Sequence, residues 1–272
     1  MKEITDSEFN RIREFIKQKL GINLSDEKKS LIQSRLSSTI SDKGFVGFTQ
    51  YFDHLLQDTS GEALIHFVDK ITTNHTFFMR EKDHFEYLRD TVLPYIYENH
   101  SQNNDLRLWC AGCSTGEEPY TLEMIIQDFF KDKPGKWDTQ ILATDISTSV
   151  LKKAIRGVYP VENLKDLPNN WINDYFEAFD DRYRQVRESI KKLITYRKFN
   201  LMEEKFPFKR PFHIIFCRNV MIYFDTDTRD QLVNKFYDAT VTGGFLFIGH
   251  SESLNYMSTK YKYIKPAVYR KV

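Results

Sequence analysis

Apolar residues recur at intervals of three and four along the first 75 residues, and this spacing predicts amphipathic helices. The segment 9–20 carries one such stripe, and Gly21 behind it is a typical helix terminator. A second helix is predicted between Ser25, whose side chain can cap its start, and Gly44. Shorter repeats predict two further helices, at residues 48–56 and 63–71. We therefore expect an all-helical N-terminal domain over residues 1–75.

Beyond a predicted helix that starts near residue 83, short continuous apolar runs alternate with segments of helical period. The runs LRLWCAG, TQILATDIS, FHIIFC and GGFLFIGHSE are typical of buried strands, and helical segments lie between them. Strands that alternate with helices predict an α/β fold with a doubly wound sheet. The tail YKYIKPAVYRKV is expected to add one last strand to this domain, which then spans residues 76–272.

The alternation stops between residues 158 and 199. A polar stretch, YPVENLKDLPNNWINDYF, precedes two strand-like segments, DRYRQVRESI and KLITYRKFN. We expect both segments to belong to a small antiparallel β-subdomain inserted in the α/β domain.

Composition and charge add no new function to this prediction, but they argue against several classes of protein. The 272 residues carry a net charge of +1, which gives no argument for nucleic acid or an anionic membrane surface as a partner. The polar start MKEITDSEFN is not expected to act as a signal peptide, and no apolar run approaches the roughly 18 residues of a membrane span. Three cysteines do not form a disulfide framework. We expect a reduced, cytoplasmic protein, without membrane insertion, that acts as a monomer.

The stretch WCAGCSTGEEPY contains Cys110 and Cys113 at CxxC spacing. A redox dithiol is one interpretation, because a helix N-terminus lowers the pKa of a thiol. The helix is expected to begin only after Gly116, however, which leaves both cysteines in the strand end and the loop. A structural zinc site needs four ligands, and only Cys217 remains. We therefore expect no metal site and keep the dithiol as the minor alternative.

A cofactor loop fits the same stretch better. Ala111 and Gly112 are small, so the backbone can approach a ligand at the end of the strand. Glu117 and Glu118 at the helix start repel a phosphate and favour a cationic ligand. Asp145 ends the next predicted strand, where a carboxylate accepts hydrogen bonds from ribose hydroxyls. A positively charged adenosine without phosphates is S-adenosylmethionine, and a methyltransferase is therefore expected.

Six segments, taken in order, make this expectation specific. They are TTNHTFFMRE (72–81), WCAGCSTGEEPYTL, ATDIS, FNLME (199–203), FCRNVMIYFD (216–225) and GHSE (249–252). Together they resemble the signature segments of the chemotaxis receptor methyltransferases, the CheR family, over essentially the whole chain. Met79, where an aromatic residue is usual, and the run CAGC depart from the family pattern without removing a polar ligand.

The resemblance implies a Rossmann-like methyltransferase domain with an inserted β-subdomain, preceded by the helical domain. It implies methyl transfer from S-adenosylmethionine to glutamate side chains on the cytoplasmic domains of chemoreceptors, with S-adenosylhomocysteine as the second product. A glutamate carboxylate is already ionised at pH 7, because its ordinary pKa lies near 4.3, so no general base is expected. In some members of the family the β-subdomain also binds a receptor pentapeptide.

The resemblance also implies site residues. The positions that match the family's cofactor contacts are Asn74, Thr76, Arg80, Glu118, Asp145, Asn200, Leu201, Asn219 and Val220. Arg80 and Tyr223 match positions for catalysis or substrate placement. On the second helix, Lys28, Lys29 and Arg35 are expected to help dock the acidic receptor helices.

Two other functions compete with this interpretation. One is a methyltransferase of the same fold that acts on a small molecule or nucleic acid. The other is a non-catalytic module that binds S-adenosylmethionine or S-adenosylhomocysteine as a sensor. A base-labile methyl ester separates the carboxyl methyltransferase from the first alternative, and turnover separates it from the second.

Overall fold

The computed structural model describes residues 3–72, 74–100 and 104–272. Its N-terminal part is all-helical, as predicted. The helices are α1 (Asp6–Leu20), α2 (Lys29–Asp42), α3 (Phe48–Gln57) and α4 (Glu62–Ile71). Their apolar sides form one core that includes the fully buried Ile12, Ile16, Leu36 and Phe67.

The starts of the first two helices differ in their capping. Thr5 and Glu8 form a capping box at α1, in which each side chain bonds the backbone of the other. The predicted cap at Ser25 was wrong, because its side chain makes no capping hydrogen bond. A 3₁₀ turn over Asp26–Lys28 follows Ser25 and leads into α2 instead.

The second part begins with α5 (Lys82–Tyr87), a π-helical turn (Leu88–Val92) and α6 (Leu93–Asn99). Parallel strands and helices then alternate: β1 (Leu108–Ala111), α7 (Glu117–Phe130), β2 (Ile141–Asp145) and α8 (Thr148–Arg156). A three-stranded antiparallel sheet follows, formed by β3 (Val158–Pro160), β4 (Phe176–Ala178) and β5 (Tyr183–Val186), with α9 (Asn169–Tyr175) between β3 and β4. This sheet is the predicted inserted subdomain.

The chain returns to the main sheet through α10 (Glu188–Lys191) and β6 (Ile194–Lys198), and continues with β7 (Phe212–Cys217), α11 (Thr226–Asp238) and β8 (Thr240–Ile248). The assignment of KLITYRKFN to the insertion was wrong. β6 pairs in parallel with β2, and its residues Ile194 and Tyr196 are buried in the core of the main domain. The tail forms a hairpin of two strands, β9 (Lys262–Lys265) and β10 (Val268–Arg270), where one was predicted.

The main sheet has the strand order β6-β2-β1-β7-β8-β10-β9. From β1 the chain moves outward to β2 and β6, and it then crosses to β7 on the other side of β1. The strand order therefore reverses between β1 and β7. In open α/β sheets ligands bind beyond the C-terminal ends of the strands at this point.

Candidate functional site

A cavity of about 480 Å³ lies at the strand ends where the sheet order reverses, and the helical N-terminal part closes one side of it. Its volume is in the range of roughly 300–1,000 Å³ that is usual for cofactor sites. Of the residues predicted to bind the cofactor, all but Ala111 line it. Ala111 is buried at the end of β1. Tyr223 lines the same cavity, and so do Leu20 and Ile22 from the helical part.

The loop between β1 and α7 packs closely against the opposite wall. Gly112 has a φ of +87°, and a Cβ atom at this position would collide with Cγ2 of Val220. The Gly112 backbone N–H donates to the carbonyl of Thr144 at 2.8 Å, which ties the loop to the end of β2. The small residue predicted here is therefore required both by the backbone conformation and by close packing.

Asp145 stands at the end of β2, and both of its carboxylate oxygens are already oriented. Oδ2 accepts from the Ser114 backbone N–H at 2.9 Å, and Oδ1 accepts from that of Ser147 at 3.0 Å. Burial raises the pKa of Asp145, although these hydrogen bonds oppose the rise. Each oxygen has a second lone pair and Asp145 lines the cavity, so this carboxylate can accept hydroxyl hydrogen bonds in addition.

Glu118, the second residue of α7, lies beside a buried guanidinium. Arg218, whose side chain is 1% exposed, lies 2.6 Å from Oε2 of Glu118 and 2.9 Å from Oε2 of Glu81. Arg218 also donates to the backbone carbonyl of Arg80. Burial alone would raise the pKa of Glu81, but the charge and hydrogen bonds of Arg218 hold it below its usual value. The side chains of Arg218, Glu118 and Glu81 thus connect the end of β7, the start of α7 and the segment that follows Arg80. With both glutamates ionised, this ion-pair cluster has a net charge of −1.

Asn219 and Arg80, which line the cavity, lie in segments with unusual backbone angles. Asn219 has a φ of +59°, and its Nδ2 donates to Oε1 of Glu81 at 3.1 Å. Arg80 lies between Met79 and Glu81, both of which have positive φ, and its Nη1 donates to the carbonyl of His75 at 2.8 Å. Non-glycine residues in this region carry a strain of about 1–3 kcal/mol each and cluster at functional sites.

Residues of the helical N-terminal part contact Tyr223 in the wall of the cavity. The backbone N–H of Asn23 donates to the carbonyl of Tyr223 at 2.8 Å. The Lys28 ammonium lies 5.5 Å from the centre of the Tyr223 ring. On the neighbouring wall, Nδ2 of Asn200 donates to the carbonyl of Lys19 at 2.9 Å. The cavity therefore depends on both parts of the chain.

The three residues predicted to dock a partner differ in their surroundings. Lys28 faces Tyr223 near the cavity, and Lys29 forms an ion pair of 2.6 Å with the exposed Asp6. Arg35 has a different environment, because its Nη1 lies 3.1–3.3 Å from the carbonyl oxygens of Lys70, Ile71 and Thr72. A cation at the last carbonyls of a helix stabilises that helix. Arg35 therefore caps the C-terminal end of α4, and its role in docking stays a prediction.

The three cysteines are free and buried. Burial raises the pKa of the thiols of Cys110 and Cys113 well above the ordinary value, which disfavours the reactive thiolate. Cys110 Sγ donates to Oε1 of Glu118 at 3.1 Å. These surroundings argue against the dithiol interpretation and assign both cysteines to packing around the loop.

Glu81, His84 and His250 offer ligand atoms within 4.8 Å of one another. The oxygens of Glu81 already accept from the side chains of Arg218 and Asn219 and from the backbone N–H of His250. Burial lowers the pKa of His84 to about 4, which keeps the ring neutral near Arg218. The contacts of Glu81 are thus explained without a metal ion.

Sequence reasoning missed Arg218, which lines the cavity, and also Glu81 and Glu252, which bind the wall residue Asn219. Arg218 was visible only as a charge that interrupts an apolar run, and a charge inside a buried strand end is the signal that could have identified it. Glu81 and Glu252 lie inside segments that were noticed for their resemblance, but no local pattern indicated their partners.

A mixed sheet of this order, with two glutamates in the first turn of α7 and an acidic residue at the end of β2, is typical of the class of S-adenosylmethionine-dependent methyltransferases. Comparisons with known proteins are more specific. The model of the CheR methyltransferase all-alpha domain matches residues 7–72, and that of the CheR methyltransferase SAM binding domain matches residues 74–270. The chain belongs to the CheR methyltransferase family, and its cofactor is S-adenosylmethionine.

Similar proteins extend over nearly the full length. A chemotaxis protein methyltransferase of Borreliella burgdorferi is 45% identical over 98% of this chain and 95% of that protein. One of Escherichia coli is 33% identical over 98% of this chain and 91% of that protein. A solved structure of a putative rRNA methylase from Clostridium thermocellum, 14% identical, matches 64% of this chain and 73% of its own with a TM-score of 0.36.

Proposed function

We propose that this methyltransferase esterifies glutamate side chains on the cytoplasmic domains of chemoreceptors. The observation that carries the proposal is the convergence of Arg80 and Tyr223 on the cavity that also contains Asp145 and Glu118. A guanidinium binds a carboxylate through two parallel hydrogen bonds, and a phenol can donate one more. An acidic side chain is therefore the acceptor that suits this cavity.

Bound S-adenosylmethionine supplies an activated methyl group on a positively charged sulfur. The residues of the chain bind, orient and exclude water. Asp145 would hold the ribose, and Glu118 would face the amino group of the methionine part. Arg80 and Tyr223 would align the incoming carboxylate, which needs no deprotonation at pH 7. Alignment of two reactants can lower a barrier by roughly 7–11 kcal/mol.

The partner follows from the same proposal. Chemoreceptor cytoplasmic domains would meet this protein in the cytoplasm, without nucleic acid as a substrate and without insertion into the membrane. Across the described ranges 3–72, 74–100 and 104–272, no helix has the length and apolar character needed to cross a bilayer.

The proposal is tested by transfer of labelled methyl from S-adenosylmethionine to a purified cytoplasmic chemoreceptor fragment. We expect label on the receptor, released as methanol by mild base, because glutamyl methyl esters are base-labile and N-methyl groups are not. Label that withstands base would exclude the ester. Binding of S-adenosylmethionine without transfer to any of a panel of receptors would favour the sensor function.

Tyr223→Phe should lower kcat by about tenfold, close to 1.4 kcal/mol, because it removes one hydrogen bond to the acceptor carboxylate. Affinity for S-adenosylmethionine should change little, since the ring and the backbone bond to Asn23 remain. Single-turnover kinetics and calorimetry measure the two effects. Unchanged kcat would remove Tyr223 from the catalytic residues.

We further propose that Lys28 and Lys29 attract the acidic receptor helices. The double variant Lys28→Glu/Lys29→Glu should raise the KM for the receptor fragment several-fold at low salt, with less effect at high salt. The matched control is Lys131→Glu/Lys136→Glu, which reverses two exposed charges near the C-terminal end of α7. Equal KM values for the two double variants would contradict the docking role.

A further inference from the structure

The segment GHSE, residues 249–252, contributes no side chain to the lining of the cavity. It follows β8 directly, and its Glu252 side chain is buried. Within the described residues, the Glu252 carboxylate forms no ion pair. A buried, unpaired carboxylate is costly unless backbone or side-chain donors satisfy it.

Backbone N–H groups satisfy Glu252 instead. Its Oε2 accepts from Asn219 at 3.0 Å and from Gly249 at 2.5 Å. Its Oε1 accepts from Ile222 at 3.1 Å. Two of these donors belong to the turn after β7, whose residues Asn219, Val220, Ile222 and Tyr223 line the cavity. The Glu252 carboxylate thus binds the backbone at two positions of this turn without lining the cavity itself.

Gly249 allows the two segments to approach each other. A Cβ atom there would lie 2.5 Å from Nδ2 of Asn219, 2.9 Å from its backbone nitrogen and 2.9 Å from Oε2 of Glu252. Asn219 in turn has the left-handed φ of +59° that directs its side chain toward Glu81. The glycine and the glutamate together hold a strained turn in one position.

We propose that Glu252 is a positioning residue of the methyltransferase: its carboxylate fixes the backbone of the turn from Asn219 to Tyr223, and so places the cofactor-facing and acceptor-facing side chains of that wall. Glu252 does not line the cavity and touches neither reactant. The inference rests on the proposed function for the acceptor side, while its cofactor side can be measured alone.

Glu252→Gln tests this inference because the glutamine has the same shape but carries only one acceptor oxygen. Its amide N–H groups would face backbone N–H donors, and the turn would have to move. We expect the dissociation constant of S-adenosylmethionine to rise about tenfold and kcat to fall about tenfold.

The matched control is Glu123→Gln, the same substitution at a buried glutamate of α7 outside the cavity. Burial raises the pKa of Glu123 to about 8, so this side chain is largely uncharged at pH 7 and a glutamine is a close replacement. Both constants should stay at the wild-type values in the control. A purely structural role of Glu252 would lower the melting temperature and leave both constants unchanged in the folded fraction.

Gly249→Ala is the second variant, and it decides the question if Glu252→Gln does not fold. The added methyl group would press on both Asn219 and the Glu252 carboxylate and would move the turn, so affinity for S-adenosylmethionine should fall as well. Wild-type affinity and kcat in the folded variants would overturn the proposal. Because calorimetry with S-adenosylmethionine needs no acceptor, failure of the glutamate assignment would not obscure this result.

Discussion

Replacement of Asp145 by alanine is expected to weaken the binding of S-adenosylmethionine by roughly a hundredfold or more. Hydrogen bonds to a charged acceptor contribute about 1.5–3 kcal/mol each, and two ribose hydroxyls would lose theirs together. Receptor methylation should fall below detection at cofactor concentrations that saturate the wild type. Calorimetry with S-adenosylmethionine measures the affinity directly.

The expected loss depends on the position of the carboxylate. Backbone N–H groups of Ser114 and Ser147 each bind one oxygen of Asp145 and turn the carboxylate toward the cavity. Asp145→Asn keeps one acceptor oxygen and should therefore give an intermediate affinity. Alanine removes both acceptors and also frees the loop that Ser114 belongs to, so its effect should be the larger.

A control substitution just before the same strand distinguishes an effect on the site from an effect on the fold. Asp138 precedes the other end of β2, where its exposed side chain accepts from the Gln140 backbone N–H at 3.4 Å. Asp138→Ala should bind S-adenosylmethionine as the wild type does. If Asp145→Ala also binds with wild-type affinity while it remains folded, Asp145 is not the ribose ligand.

Most elements could be predicted because their signals are local. The stripe of α1 and the apolar run of β1 each follow from the period of buried positions within one segment. The strand Ile194–Lys198 was assigned to the wrong sheet because pairing depends on residues far away in the chain. The same pattern of buried Ile194 and Tyr196 suits either sheet, and the register with Ile141 decided between them.

The candidate site shows the same limit. Gly112, Glu118 and Asp145 were recognisable because their chemistry suits one position in this class of sheet. The partner of Glu118 was not, since Arg218 lies 100 residues further along the chain. No periodicity or capping rule connects two side chains at that separation. The contact depends on the parallel arrangement of β1 and β7, which exists only in the folded protein.

Replacement of Arg218 by methionine is expected to lower the free energy of unfolding by about 3–5 kcal/mol at pH 7, the usual effect of removing one partner from a buried ion pair. Glu81 and Glu118, with side chains that are each 14% exposed, would then lie close together without a cation. Urea unfolding measures the change. The further substitutions Glu81→Gln and Glu118→Gln should recover part of it, because they remove the unpaired charges.

Arg107→Met is the matched control. Arg107 pairs with Asp105 at 2.5 Å, away from the cavity, and its side chain is 21% exposed. Both arginine variants should be less stable than the wild type, but only Arg218→Met should also bind S-adenosylmethionine more weakly. If Arg218→Met left the cofactor affinity unchanged, the ion-pair cluster would support the fold alone.

The free energy of unfolding should also depend on pH in a way that is specific to the ion pair between Arg218 and Glu81. In the folded wild type the pKa of Glu81 lies below its ordinary value because Arg218 outweighs the effect of burial. The ion pair therefore contributes stability at pH 7, and this contribution is lost as the pH falls through the lowered pKa of Glu81. In Arg218→Met the contribution is absent at every pH, and the unpaired Glu81 carboxylate takes up a proton more readily. The difference in unfolding free energy between wild type and variant should thus be largest near pH 7 and should shrink below about pH 4. A difference that stays constant from pH 7 to about pH 3, below the ordinary pKa of a glutamate, would show that lost packing of the Arg218 side chain, and not its charge, causes the destabilisation.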